Sequence, residues 1–464
     1  MKYKLLLVII SILVLLLYLI DDSGTFINIQ RFGIIGIVTL VISIMSWLSN
    51  GNRLLSPYII FLLVLYVFSY GVPMLYAFGV EPERDLEGYL GITKQQIYDS
   101  QFWTLQMLIF FQLGGLCCPK GSYVEYKSNS VIDKKGLREA SRLKKAGWFL
   151  AVISCYFYLD LTIKNLILSA VSGYGALYEG EMATGFGTIN IFLANLFIPA
   201  LICLYVVYRK NKKIRFIITG LFAVNIVAGL AIGGRTGSVT MIAMLLILYD
   251  SLIRRFKRRD YVIIISVGFV FASLLSYIAQ TRTSESRSFD SKDVEVSSNA
   301  VFDAISEMGG TQSCLIETMQ FVPNNEPFKL GKSYLFSITT IIPNLGFWDI
   351  HPAKKESNLG DWLTDKLGLS YGTGYSMTAE AYINFGSLCF VVFFLWGMGL
   401  ARFYGFMESC VKKQDDVYIA VIMVFFWLTL GLPRSSFISL IRPIFFYILP
   451  VLYYCKGSLK IKIK

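Results

Sequence analysis

Residues 188–232 read TINIFLANLFIPALICLYVVYRKNKKIRFIITGLFAVNIVAGLAI. Two apolar runs, 188–208 and 216–232, flank a cluster of five basic residues, namely Arg209, Lys210, Lys212, Lys213 and Arg215. A helix that crosses a bilayer needs about 20 mostly apolar residues, and basic residues gather in the loops on the cytoplasmic side. The stretch therefore predicts two membrane-spanning helices joined on the cytoplasmic side.

The same pattern of apolar runs recurs along the whole chain. Of its 464 residues, 55% are apolar and only 16% are charged, whereas about a quarter of the residues in a soluble protein are charged. Further spans are predicted at 4–20, 32–49, 55–79, 101–118, 146–163, 238–252, 261–279, 385–408, 417–431 and 437–455. The fold class is therefore all-α, a polytopic integral membrane protein with about twelve transmembrane helices.

The distribution of basic residues predicts the orientation and the domains. Every second connection is basic, which predicts that both termini lie in the cytoplasm. The chain is expected to lie in the inner membrane. Residues 1–279 then form spans one to nine, 280–384 form one long outer (periplasmic) loop, and 385–464 form the last three spans and a cytoplasmic tail. Short helices are expected within the outer loop near 298–308, 311–321 and 358–368.

The net charge of +12 does not indicate nucleic-acid binding, because the basic residues lie in short clusters between apolar runs. Gly331-Lys332-Ser333 resembles the end of a P-loop, but Glu326 occupies the position of its first glycine. No GxSxG, HExxH or DxD pattern occurs. No metal and no cofactor are predicted.

Several arginines lie where predicted spans meet the outer face. Gly233-Gly234-Arg235-Thr236-Gly237 joins two spans in a tight turn, and Arg282 follows the ninth span. One interpretation is that these side chains only reach the lipid headgroups. The other is that Arg235 and Arg282 clamp a diphosphate, since the guanidinium fork matches phosphate oxygens. Arg434 and Arg442, near the last span, are further candidates.

Three residues are candidates for a general base. His351 is the only histidine of the chain and falls in the outer loop. A neutral imidazole is a suitable base near neutral pH, although a lone loop histidine is also a common surface residue. Glu380 and Glu307 compete for the role, and each is otherwise an ordinary loop carboxylate.

Short motifs in the outer loop and its flanks carry a family resemblance. They are Ile232-Gly-Gly-Arg-Thr-Gly237, Glu307-Met-Gly-Gly310 with Val322-Pro323, Gly331-Lys-Ser-Tyr334, Ile341-Ile-Pro-Asn344, Tyr371-Gly-Thr-Gly-Tyr-Ser376 and Glu380-Ala-Tyr-Ile-Asn-Phe-Gly386. In this order, over residues 230–390 and with the twelve-span layout, the set resembles the bacterial O-antigen polymerase family (Wzy-type, oligosaccharide repeat-unit polymerase).

The resemblance implies a function and a site. It implies a GT-C-like membrane glycosyltransferase that joins polyprenyl-diphosphate-linked oligosaccharide repeat units, by inversion and without a metal, into O-antigen or capsule polysaccharide. The carrier would be undecaprenyl diphosphate, and the reaction would take place on the outer face. A chain-length regulator and a flippase are candidate partners beside the lipid bilayer.

Under this resemblance, the candidate residues acquire roles. The related O-antigen ligases place one arginine before the eighth helix, another at the end of the ninth and a histidine in the following loop. Arg235, Arg282 and His351 match those places, and Glu380 is the alternative to His351 as the base.

Two rival functions stay open. An O-antigen ligase would share the chemistry and differ only in its acceptor. A polysaccharide flippase or other transporter would usually carry paired ionisable residues near the membrane midplane, where this sequence has almost no Asp or Glu. The usual histidine and arginine signatures of a membrane acyltransferase are missing.

Overall fold

A computed structural model describes residues 2–21, 23–80, 86–118, 134–172, 186–268, 300–344 and 346–457. All regular structure in these ranges is helical. The first ten helices are α1 (Lys2–Ile20), α2 (Phe26–Ser49), α3 (Pro57–Ala77), α4 (Lys94–Leu116), α5 (Lys134–Ser172), α6 (Phe186–Ala194), α7 (Phe197–Val207), α8 (Lys212–Ile232), α9 (Arg235–Leu252) and α10, described over 258–268.

The first six of the remaining ten helices begin within the predicted outer loop, and the other four follow it. They are α11 (Ala300–Gly309), α12 (Ser313–Phe321), α13 (Lys332–Ser337), α14 (Pro352–Glu356), α15 (Leu359–Leu367), α16 (Met377–Phe385), α17 (Cys389–Lys413), α18 (Asp416–Thr429), α19 (Ile438–Pro443) and α20 (Leu449–Lys456). Helices α11, α12 and α15 confirm the three short helices predicted from the sequence.

Nine helical segments in the described part of the chain are long and apolar enough to cross a membrane. They are Lys2–Ile20, Phe26–Ser49, Pro57–Ala77, Lys134–Ser172, Ile189–Val207, Lys212–Ile232, Met377–Lys413, Asp416–Arg434 and Ile438–Lys456. Helix α9 contributes a shorter apolar helix, and α4 is long but contains five Gln residues among its 23. The fold is that of a polytopic, all-helical membrane protein.

The bounds of α5 differ from the prediction. Its 39 residues extend the expected span 146–163 in both directions, into the predicted loops 119–145 and 164–187. A prediction from apolar residues detects only the middle of a helix whose ends are polar. The Lys, Arg and Glu residues near its start are good helix formers, so the helix continues where the apolar run does not.

The helices group into two compact units that interleave along the sequence. The first unit comprises Met1–Val124, Val301–Gly405 and Leu432–Arg442. The second comprises Glu125–Ala300, Phe406–Gly431 and Pro443–Lys464. The predicted outer loop therefore packs, in its described part, with the first four helices.

Charged pairs join the helices of the second unit. Arg209 pairs with Asp416 at the start of α18. Lys456, the last residue of α20, pairs with Glu139 at 2.5 Å and with Asp415 at 2.7 Å. All of these side chains are largely buried, so removing one partner would leave a poorly solvated charge.

Two glycines let α3 and α11 cross in close contact in the first unit. A Cβ atom on Gly309 would lie 2.5 Å from the backbone nitrogen of Val72, and one on Gly71 would lie 2.9 Å from the carbonyl oxygen of Ile305. Backbone atoms cannot rotate away as a side chain can. This crossing gives a physical reason for the first glycine of the Glu307-to-Gly310 motif.

The adjacent glycines of that motif provide a matched test. Gly309→Ala should lower the midpoint of thermal unfolding, because forcing extra volume into a packed contact usually costs about 1–3 kcal/mol. Gly310→Ala should leave the midpoint nearly unchanged, since a Cβ atom there meets no atom within 4 Å. Thermal unfolding of the two purified variants in one detergent measures the difference, and equal midpoints would contradict the crossing.

Candidate active site

A short helix at the end of the predicted outer loop carries a buried carboxyl group. Ser376 caps α16 by accepting a hydrogen bond from the Ala379 N–H at 3.1 Å, and Glu380 follows in the first turn. Its side chain is almost completely buried, with 1% of the residue exposed. Asn384, which is fully buried, lies one turn later on the same face of the helix.

Two donors hold the Glu380 carboxyl group. The Ser333 hydroxyl donates to Oε1 at 2.7 Å, and the Phe437 backbone N–H donates to Oε2 at 2.6 Å. In the part of the chain that the structure describes, no basic side chain forms an ion pair with Glu380. Each oxygen of an ionised carboxylate has two acceptor sites, so each retains one.

Asn384 joins two of the motifs noted in the sequence. Its side-chain nitrogen donates to the Ser333 hydroxyl and to the Glu380 carbonyl, each at 2.7 Å. Its side-chain oxygen accepts from the Gly331 N–H at 3.0 Å. The Leu330 N–H also donates to the Asn384 carbonyl at 2.9 Å. The Gly331-to-Tyr334 and Glu380-to-Gly386 motifs are thus parts of one hydrogen-bonded structure, which we call the asparagine clasp.

Gly386 follows the asparagine clasp and has a backbone conformation that favours glycine. Its φ angle is +53°, a value that a residue with a Cβ atom rarely adopts. A Cβ atom there would also lie 2.5 Å from the Phe328 ring. The chain turns at this residue from α16 into the 3₁₀ turn that precedes α17.

A second buried carboxyl group lies on α12, which packs against α16. Glu317 is 1% exposed, and its Oε1 has no hydrogen-bond partner among the described residues. Burial raises the pKa of Glu317 to about 7. The adjacent Thr318 hydroxyl lies 3.0 Å from the phenol oxygen of Tyr375, which belongs to the Tyr371-to-Ser376 motif.

Other polar side chains in neighbouring elements are buried near these carboxyl groups. Gln312 donates to the Ser100 hydroxyl of α4 at 2.9 Å, while its own side-chain oxygen has no partner in the described ranges. Polar side-chain atoms of Gln101, Thr104 and Tyr334 also have no hydrogen-bond partner among the described residues. Buried polar atoms are normally paired with protein or ordered water. The interior of the first unit, in its described part, therefore contains unpaired polar atoms on α4, on α13 and next to α12.

Arg434 lies on the segment that contacts Glu380. It ends the 3₁₀ turn Leu432–Arg434, three residues before the Phe437 N–H donor, and its side chain is exposed. Its positive charge also acts on Cys314 of α12: burial and then Glu317 raise the pKa of that thiol, while Arg434 opposes them. Arg434 is thus linked to this region by its place in the chain, three residues before Phe437, and by its charge acting on Cys314.

The other arginines have different settings. Gly233, at φ +100°, and Gly234 form the predicted tight turn, and Arg235 is the first residue of α9 in the second unit. The Arg235 side chain and the whole of Arg282 lie outside the described residues. Arg442 donates from Nε to the Thr340 carbonyl at 2.8 Å, which ties α19 to the loop.

His351 caps a short helix. Its Nδ1 accepts a hydrogen bond from the Ala353 N–H at 3.2 Å, and its Nε2 lies 3.0 Å from the Ile342 carbonyl oxygen. This pattern requires the neutral ring with its proton on Nε2. Both nitrogens are therefore engaged by backbone. Glu307 lies on α11, half-buried, two residues before the Gly309 crossing.

Sequence reasoning assigned no role to Ser333, Asn384 or Glu317. Ser333 and Asn384 lie in the quoted motifs, but their partners are distant in sequence. Glu317 follows the apolar residues Leu315 and Ile316, and a carboxyl group in such a setting is a signal of a functional site. That signal was available in the sequence.

The fold and the site together define a polytopic membrane protein whose first unit encloses two carboxyl groups in a polar interior. A model of the family described as O-antigen polysaccharide polymerase Wzy matches residues 4–459, nearly the whole chain. The chain therefore belongs to this family. No curated protein and no solved structure matches it.

Membership confirms the predicted family and establishes the function at that level. The chain is an O-antigen repeat-unit polymerase with glycosyltransferase-like activity. It is a multi-pass membrane protein, and its family acts on lipid-linked oligosaccharide.

The pKa of Glu317 predicts a pH-dependent stability. The ordinary pKa of a Glu side chain is about 4.3, so an elevated value in the folded chain penalises folding as pH rises from about 4.5 to 7. Glu317→Gln should therefore raise the midpoint of thermal unfolding at pH 8. The gain should shrink as the pH is lowered to 5.

Thermal unfolding of the purified protein across this pH range measures the effect. Asp365→Asn is the control, because that carboxyl group is exposed, and it should change little at any pH. A gain of the same size at pH 5 and pH 8 would show that the Glu317 charge is not responsible.

Proposed function

We propose that Glu380 is the general base of an inverting, metal-independent glycosyl transfer that extends a polyprenyl-diphosphate-linked glycan on the outer face of the membrane. The observation that carries this proposal is the Glu380 carboxyl group itself. It is buried without an ion-pair partner in the described part of the chain, is oriented by Ser333 and the Phe437 N–H, and keeps a free acceptor site on each oxygen.

The proposed reaction is a single displacement at the anomeric carbon of the donor sugar. A hydroxyl oxygen of the acceptor sugar attacks the anomeric carbon of the donor, and its proton passes to Glu380. The bond between that carbon and the diphosphate oxygen breaks, and the polyprenyl diphosphate leaves with the electron pair. The leaving group is already activated, so the protein needs only to remove the proton and to stabilise the negative charge that develops on the diphosphate.

Arginine is suited to the second task. The location of Arg434, three residues before the Phe437 N–H that contacts Glu380, supports a role in binding the diphosphate close to the base. Arg235 and Arg282 stay proposed diphosphate ligands on the sequence argument alone, because the guanidinium fork matches phosphate oxygens. The proposal includes twelve spans, a GT-C-like arrangement, an undecaprenyl carrier and cytoplasmic termini.

The polar interior supports binding of a sugar chain. Gln101, Thr104 and Gln312 carry buried donors or acceptors without partners in the described part of the structure, and sugar hydroxyls would satisfy both kinds. Glu380 is nearly inaccessible, so the acceptor must displace a neighbour. Phe437 is the proposed one, because its segment joins a 3₁₀ turn to α19 and donates only one backbone N–H to the carboxyl group.

His351 is a poor alternative base for a specific reason. A neutral imidazole has one acceptor nitrogen, and in His351 this nitrogen already accepts from the Ala353 N–H. To remove a proton from a sugar, the ring would first have to leave its capping position. We assign His351 to the support of the outer loop.

Glu380→Gln should lower turnover by about two to four orders of magnitude, the usual share of a general base. The amide has the same shape but cannot accept the proton. His351→Asn should retain most activity, because asparagine is also a good helix cap. The assay uses purified enzyme with a synthetic polyprenyl-diphosphate repeat unit. Full activity of Glu380→Gln together with loss in His351→Asn would assign the base to the histidine.

The arginine clamp is tested separately. Arg434→Ala, Arg235→Ala and Arg282→Ala should each reduce turnover without reducing the amount of protein in the membrane. Lysine at these positions should restore little, because it lacks the bidentate fork. Arg442→Ala is the comparison, since that side chain is used to bind the Thr340 carbonyl. Unchanged turnover in all three alanine variants would mean that these arginines contact only the lipid headgroups.

Deletion of the gene distinguishes polymerase from ligase. Loss of the long-chain ladder on a surface-glycan gel, with a single repeat unit retained, is the result expected of a polymerase. Loss of all attached glycan would instead indicate a ligase or a flippase.

A further inference from the structure

A groove in the second unit has one charged end and one apolar end. Its volume is about 670 Å³, and it is lined by residues of α7, α8 and α9 and by Phe256. The residues from α8 are Lys212, Arg215, Phe216 and Thr219, and those from α9 are Ile242, Leu245, Leu246 and Tyr249. Each set has the spacing i, i+3, i+4, i+7, which places it on one face of its helix.

The direction of the two helices separates charge from apolar surface. Only Gly233 and Gly234 connect α8 to α9, so the two helices run antiparallel. The first turn of α8, with Lys212 and Arg215, therefore lies beside the end of α9 near Tyr249. Thr219 lies about 10 Å further along α8, from the rise of 1.5 Å per residue, toward Ile242.

The charged end of the groove lacks a compensating anion within the lining. Among the described residues that line it, none is acidic, and α8 has no acidic residue in its first turn. Basic residues at a helix start are also opposed by the helix dipole. Arg215 uses one Nη atom to donate to the Arg209 carbonyl at 2.6 Å, which holds its guanidinium group near the groove.

The turn after α9 places an aromatic ring at the charged end of the groove. Asp250 accepts a hydrogen bond from the Phe256 N–H at 2.8 Å and pairs with Arg255 at 3.3 Å. The Phe256 ring then stacks on Tyr249 with centroids 5.6 Å apart. Asp250 thus helps to shape the groove.

We propose that this groove binds one anionic phospholipid, with the phosphate at Lys212 and Arg215 and the start of an acyl chain along Ile242, Leu245 and Leu246. Charge complementarity selects an anion, and the apolar walls select an amphiphile over a free phosphate. The basic clusters at 209–215 and 254–259 are predicted to face the cytoplasm, where membrane surfaces carry anionic lipid. The proposal does not depend on the role of Glu380.

Binding is measured by native mass spectrometry and thermal unfolding of the purified full-length protein in detergent. Phosphatidylglycerol should bind and raise the unfolding midpoint, whereas phosphatidylcholine with the same chains and inorganic phosphate alone should have little effect. An equal response to phosphatidylcholine, or a full response to inorganic phosphate, would overturn the proposal.

Matched charge removal tests the location. Lys212→Ala with Arg215→Ala should weaken phosphatidylglycerol binding by about tenfold or more. Lys213→Ala with Arg258→Ala removes the same two residue types outside the groove and should have little effect. Equal losses in the two double variants would mean that the lipid responds only to net charge.

A third variant tests the apolar end of the groove. It also tests the proposal if the double variant of Lys212 and Arg215 does not fold. Ile242→Trp fills the groove but keeps both cations, so it should weaken phosphatidylglycerol binding. Unchanged binding in Ile242→Trp would show that the acyl chain does not occupy the groove.

Discussion

The structure of the first unit depends on holding one buried carboxyl group, that of Glu380. Burying a carboxylate without a cation is costly, and hydrogen bonds to its charged form offset part of that cost. Here the Ser333 hydroxyl and the Phe437 N–H supply them, one to each oxygen. These donors come from the outer loop and from the segment before α19, so the position of three separate parts of the chain is linked to a single side chain.

Asn384 extends that link to the backbone. By donating to Ser333 and accepting from Gly331, it fixes the side chain that contacts Glu380 and the turn that carries it. Two of the short motifs, Gly331-to-Tyr334 and Glu380-to-Gly386, are therefore one structure, built around one carboxyl group. Gly309 belongs to another motif and serves a different purpose, since it permits the close crossing of α3 and α11.

The sequence predicted the class of fold well, because apolar runs of the required length are a direct consequence of the bilayer. It predicted the length of α5 poorly, because charged residues that favour helix carry no hydropathy signal. Glu380 was a candidate, but its donors lie 47 and 57 residues away in the sequence, and no local rule finds such contacts. His351 was selected by residue type and by its place in the outer loop, which matches that of a histidine in the related ligases. The structure shows that both of its nitrogens bind backbone.

If Glu380 is the base, Ser333 acts on the reaction only by positioning its carboxyl group. The most direct test is a double-mutant cycle of Ser333→Ala and Glu380→Gln, with turnover measured on a defined lipid-linked repeat unit. If the serine only positions the carboxyl group, Ser333→Ala should reduce turnover in the wild-type background and change it little once Glu380 is Gln. Equal, additive losses in both backgrounds would contradict the account.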